Sequence, residues 1–106
     1  MAKSRLLSIF LVAVLVASCL CFAQGAITGT ILNRTLLQGS PGAGTVVLTT
    51  LTPRTVVTVL CRTQSDFVFD DPWWLKVTVP ATGMVGWVAD YYVDCGGVGN
   101  CNIFQC

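Results

Sequence analysis

Thr55-Val56-Val57-Thr58-Val59-Leu60-Cys61-Arg62 is the stretch whose reading decides the fold. It is dense in β-branched residues, which suit a pleated, half-buried surface. Its alternation places Val57 and Val59 on one face and Thr58 and Leu60 on the other, the period of a strand and not of a helix. Working toward the N-terminus, Thr52-Pro53-Arg54 breaks the pattern, and residues 46–51 form another β-branched run. Gly39-Ser40-Pro41-Gly42-Ala43-Gly44 is a turn-rich loop. A first strand is expected at residues 27–32. Toward the C-terminus, residues 65–72 read as a loop carrying three Asp and two Phe. Strands are expected at 73–79 and 85–89 around a turn at Pro80-Ala81-Thr82-Gly83, with one helical turn at Asp90-Tyr91-Tyr92. Short strands at this spacing, with no 3.6-residue apolar period after residue 24, imply an all-β barrel or sandwich of about five strands.

The N-terminal segment has a different character. Lys3 and Arg5 precede an apolar run from Leu6 to Leu20, and Cys21-Phe22-Ala23 ends on a small residue before polar Gln24. Positive start, apolar core and small-residue exit are the order of a secretory signal, so residues 1–23 are expected to be cleaved. The run falls short of the about 20 apolar residues that span a bilayer. A second route is legible in Val16-Ala17-Ser18-Cys19, which resembles a bacterial lipobox; lipid on Cys19 would anchor the protein to a membrane. Asn33-Arg34-Thr35 is an N-glycosylation sequon and marks Asn33 as an acceptor in a eukaryotic secretory route.

Beyond residue 23, four basic residues face five Asp, and there is neither Glu nor His. A near-neutral domain offers no field for phosphates, which argues against nucleic-acid partners. A nucleophile would lack its usual histidine base, and loop Asp residues are ordinarily solvated, so no enzyme activity is expected. Cys61, Cys95, Cys101 and Cys106 remain, an even number suited to a disulfide framework in a small exported domain. Without His or paired CxxC spacing, no metal is expected, and no cofactor. Three pairings are possible. The reading favours Cys61–Cys95 to lock the barrel and Cys101–Cys106 to close a small terminal loop.

Residues 26–94 resemble a bacterial-type SH3-like (SH3b) domain. The resemblance rests first on Gly39-Ser40-Pro41, residues 46–51 and Thr55-Val56-Val57-Thr58-Val59-Leu60. It rests further on Trp74-Leu75-Lys76-Val77, a turn at Gly83, Gly86-Trp87-Val88, and Tyr91-Tyr92-Val93, in the family's order and spacing. The sequence departs from the pattern where Leu36-Leu37-Gln38 replaces Asn-Val-Arg, and where Arg54 stands at a turn position that prefers Gly. Residues 95–106 form an added cysteine-containing tail. The resemblance implies a small SH3-like barrel and a secreted, non-catalytic binding module for a cell-wall or other extracellular peptide or glycan. A secreted effector-like protein with a protein partner, or a lipid-anchored surface protein, is the alternative. A monomer is expected, with no transmembrane segment after cleavage.

Trp74 and Trp87 are read as covers for a tiny core. Gly86 suits a close backbone approach. Trp73 alternates with Trp74, so it faces the other way. With Phe69, Asp71, Tyr91 and Tyr92 it forms the expected ligand-binding patch, because exposed aromatics serve as interface anchors.

Overall fold

The alternation around Val57 and Val59 builds the centre of a curled, half-barrel sheet. The computed structural model describes residues 25–96 and 101–106, so the expected signal segment at 1–23, Cys19 within it and residues 97–100 lie outside the described residues. Seven strands are present among the described residues: β1 (Ile27–Ile31), β2 (Thr35–Gln38), β3 (Val47–Leu51), β4 (Val56–Val68), β5 (Asp71–Val79), β6 (Met84–Ala89) and β7 (Val93–Asp94). A single 3-10 turn, Asp90–Tyr92, separates β6 from β7. The strands form one sheet in the order β3-β2-β6-β5-β4-β1-β7, with neighbouring strands antiparallel throughout.

Val57, Val59, Leu75, Val77 and Val88 are fully buried and form the core with Ile31, Leu37, Leu51, Val79 and Val93. Burial of each such side chain contributes roughly 1.5–3 kcal/mol. Cys101 and Ile103 of the tail belong to the same cluster, so the tail completes the core.

The strand count differs from the expected five. Thr35–Gln38 carries no alternation signal of its own, yet it pairs with β3 and meets β6 at Gln38–Trp87. The contact is close because Gly86 has no side chain. A Cβ there would lie 2.8 Å from both the Gln38 carbonyl oxygen and Leu37 Cγ.

The expected loop at 65–72 is instead the end of a long hairpin. β4 continues to Val68 and β5 begins at Asp71, leaving Phe69 and Asp70 as a two-residue turn. Pairing propagates outward because Phe, Val and Trp favour extended backbone. The Trp74 indole N–H also donates to the Asp66 carbonyl at 2.9 Å, holding the extension down. Pro72 is accommodated where the β4–β5 register shifts between Gln64 and Val68, a stretch already lacking regular ladder pairing.

The expected disulfides are also corrected. Cys61 is joined to Cys106 and Cys95 to Cys101. β7 pairs with Thr30 and Ile31, so Cys95 continues level with Gly29, whose partner on β4 is Val57. Cys61 lies four residues further along β4, roughly 13 Å at the rise of a strand and beyond disulfide reach. The tail reaches it instead. Arg62 N–H donates to the Phe104 carbonyl at 3.1 Å, and Cys106 N–H donates to the Arg62 carbonyl at 2.9 Å. This places the Cys61 and Cys106 Cα atoms 5.0 Å apart.

Candidate binding surface

The outer end of the β4–β5 hairpin meets the 3-10 turn. Phe69 is 71% exposed and Tyr91 45% exposed, and their ring centroids are 4.8 Å apart. Tyr91 meets Tyr92 edge-on at 5.3 Å. Phe69 and the consecutive pair Tyr91-Tyr92, from distant parts of the sequence, thus form one row of rings, at separations that favour aromatic contact. Phe69 and Asp70 both have positive φ, 47° and 65°. With Val68 paired to Asp71, this is the two-residue turn that suits a twisted hairpin and ordinarily takes Asn-Gly or Gly-Gly.

Behind the rings lies a buried polar corner. Asp90, expected to be solvated, is 2% exposed. Its Oδ1 accepts the Cys101 N–H at 3.1 Å, while Oδ2 is buried without a donor facing it. Burial chiefly, and then the neighbouring Asp71 carboxyl, push the Asp90 carboxyl up to about 7 against the opposing pull of the Cys101 N–H and Arg62. A protonated Oδ2 can donate to Asp71, which explains why no other donor is needed. Asp71 also accepts the Trp73 N–H at 2.9 Å.

Trp73 is set apart from the ring row. Its strand position shares the face of Leu75 and Val77, and the Arg62 guanidinium covers its ring at 3.9 Å. Arg62 also approaches Asn102 Oδ1 at 3.5 Å. The sequence-based patch is therefore divided: Phe69, Tyr91 and Tyr92 are brought together, Asp71 faces Asp90, and Trp73 is packed under Arg62.

The opposite face of β5 and β6 carries a groove of about 330 Å³ lined by Trp74, Ala89, Val68, Tyr92, Thr35 and Arg34, among others. Trp74 and Trp87 alternate with the core residues Leu75, Val77 and Val88, so neither joins the main core. Trp74 is nevertheless 2% exposed, and Trp87 is half-buried. The loop at 39–45 walls the groove. Ala43 N–H donates to Asp66 Oδ2 at 3.0 Å, and the Thr45 hydroxyl donates to Gln38 Oε1 at 2.7 Å. Tyr92 belongs to both the ring row and the groove, so the two surfaces are continuous. Strand alternation alone would have placed Trp74 opposite Leu75. The partners that wall it in, from β2 and the 39–45 loop, carried no such signal.

Asn33 is exposed in the bend between β1 and β2, next to Arg34 of the groove. All four described cysteines are in disulfides, and no group of three or more potential metal ligands occurs among the described residues. No helix among the described residues is long and apolar enough to cross a membrane. Comparison with protein-family models and with curated proteins finds no match.

Proposed function

We propose that this chain is a secreted, non-catalytic binding module on an SH3-like barrel, recognising an extracellular or cell-wall peptide or glycan. The observation that carries the reading is the continuous row of exposed Phe69 and Tyr91 with half-buried Tyr92, which runs into the Trp74 groove. Aromatic rings held rigidly at a surface provide contact area at little cost in conformational entropy.

Further support comes from Arg54, which has φ 72° at the turn where the resembled family prefers glycine. The Gly86 approach to Gln38 gives a physical reason for the Gly-Trp-Val element. Two disulfides within the chain are consistent with an extracellular location. The non-catalytic reading rests on a sequence without histidine and with no nucleophile–base arrangement.

The test is co-sedimentation of the oxidised protein with insoluble peptidoglycan and polysaccharide, alongside Tyr91→Ala. Retention of the parent and release of the variant support the module. Equal retention of both removes this surface from the assignment. Recovery only with a soluble protein partner favours the effector-like alternative.

A further inference from the structure

Phe69 is hard to explain by folding. It holds a left-handed backbone conformation at φ 47°, which disfavours a side chain of its size, and leaves its ring exposed to solvent. Asn or Gly would serve this turn better, so turn geometry does not account for the residue. Strained residues that persist against such alternatives concentrate at functional sites. Phe67, on the same hairpin end, is 72% exposed.

Acidic residues cluster on the hairpin end that carries Phe69, while Arg34 lines the groove at the Tyr92 end of the row. Asp66, Asp70 and Asp71 fall within Asp66-Phe67-Val68-Phe69-Asp70-Asp71, and they are three of the chain's five acidic residues. Asp66 and Asp70 are exposed, and neither is in an ion pair among the described residues. Of the two basic residues of this hairpin, Arg62 has its guanidinium committed to the Trp73 ring and Lys76 stands opposite Trp87, away from the turn. Asp66 Oδ2 accepts the Ala43 N–H, so the hairpin end offers the Phe69 and Tyr91 π faces beside the exposed Asp70 carboxylate. A guanidinium or ammonium group is attracted to both.

We infer that the Phe69–Tyr91–Tyr92 row, with Asp70 beside Phe69, binds arginine- or lysine-bearing peptide segments. This rests on the proposed binding function and names the ligand class for that surface. Charge complementarity at the Phe69 end selects the occupant: an acidic peptide would meet Asp70 as a like charge, and a neutral glycan would leave it unused.

The experiment is an NMR titration of the oxidised, isotope-labelled protein. The probe is a hexapeptide alternating glycine and arginine, blocked at both ends, with its glycine–glutamate counterpart as control. The arginine peptide is expected to move the ring signals of Phe69, Tyr91 and Tyr92, and the glutamate peptide to leave them in place. Phe69→Asn and Asp70→Asn both suit the turn, so they remove the ring or the charge while keeping the fold. Each is expected to weaken binding about fivefold, the size of one cation–π or charge contact. Thermal unfolding of both variants should match or exceed the parent. Unmoved ring signals, an equal response to the two peptides, or parental affinity in both variants would overturn the inference. If the rings stay still with arginine peptide while Tyr91-dependent retention on insoluble glycan persists, the cationic ligand is lost and the binding module stands.

Discussion

The backbone N–H of Cys101 donates to Oδ1 of Asp90 at 3.1 Å, so the tail is fastened to the start of the 3-10 turn by a buried carboxyl. The same carboxyl faces Asp71, and it titrates at about 7, against an ordinary value of 3.8, chiefly because burial disfavours its charge. Three links meet there: the covalent tail, the end of β6 and the base of the aromatic row. Fastening by a protonated acid makes the corner sensitive to pH.

Between pH 4 and 7, folded Asp90 holds a proton that the unfolded chain releases. Its contribution to stability is complete below about pH 4 and is lost as pH rises through about 7. Denaturant midpoints should therefore fall between pH 4.5 and pH 8, by an amount on the order of a few kcal/mol. Asp90→Asn keeps an acceptor for Cys101 and supplies a permanent donor toward Asp71. It should flatten this dependence. A parental slope in the variant would place the titration elsewhere.

Cys61 and Cys106 are 45 residues apart in sequence. Closing a loop of that size contributes about 4 kcal/mol in the chain-entropy model. Replacing both by Ser should lower stability by a comparable amount and loosen the tail from Arg62. Non-reducing peptide mapping should recover Cys61 with Cys106 and Cys95 with Cys101. A Cys61–Cys95 peptide would contradict this topology.

Gly86→Ala tests the β2–β6 contact directly. The added methyl would sit 2.8 Å from a backbone oxygen that cannot swing aside as a side chain does. A loss of about 1–3 kcal/mol in unfolding free energy is expected, the usual range for forced overpacking. Parental stability would mean that β2 separates from β6 at no cost.

Arg54→Gly relieves a side chain at φ 72°. The relief of about 1–2 kcal/mol is partly offset by the greater freedom of glycine in the unfolded chain, about 0.5–1 kcal/mol. A net gain of up to about 1 kcal/mol should appear as a higher melting temperature. A clear loss would show that the Arg54 side chain is held by contacts stronger than the strain.

Much of the architecture was legible residue by residue. Val57 and Val59 announce a shared face by alternation, and the Gly86 approach follows from its place before Trp87, whereas Trp74 and Trp87, read as covers for the core, lie on the face opposite Leu75, Val77 and Val88. β2 was not legible, because Thr35–Gln38 becomes a strand by pairing with β3 and β6 and not by its own pattern. The hairpin end was misread for a related reason. Asp and Pro are breakers in isolation, yet long-range pairing carries β4 to Val68 and turns the chain on Phe69 and Asp70. Of the expected patch, Phe69, Tyr91 and Tyr92 were legible as surface aromatics, Tyr92 half-buried, but no local feature of Trp73 reveals that Arg62 covers it.

Composition and alternation, being local properties of the chain, determined an all-β domain with an even set of cysteines and a surplus of aromatics near its end. The disulfide partners, the protonated Asp90, the Trp74 groove and the joining of Phe69 to Tyr91 were decided by tertiary structure. Each depends on which segments a curled sheet brings within a few ångströms, and on the water that this approach excludes.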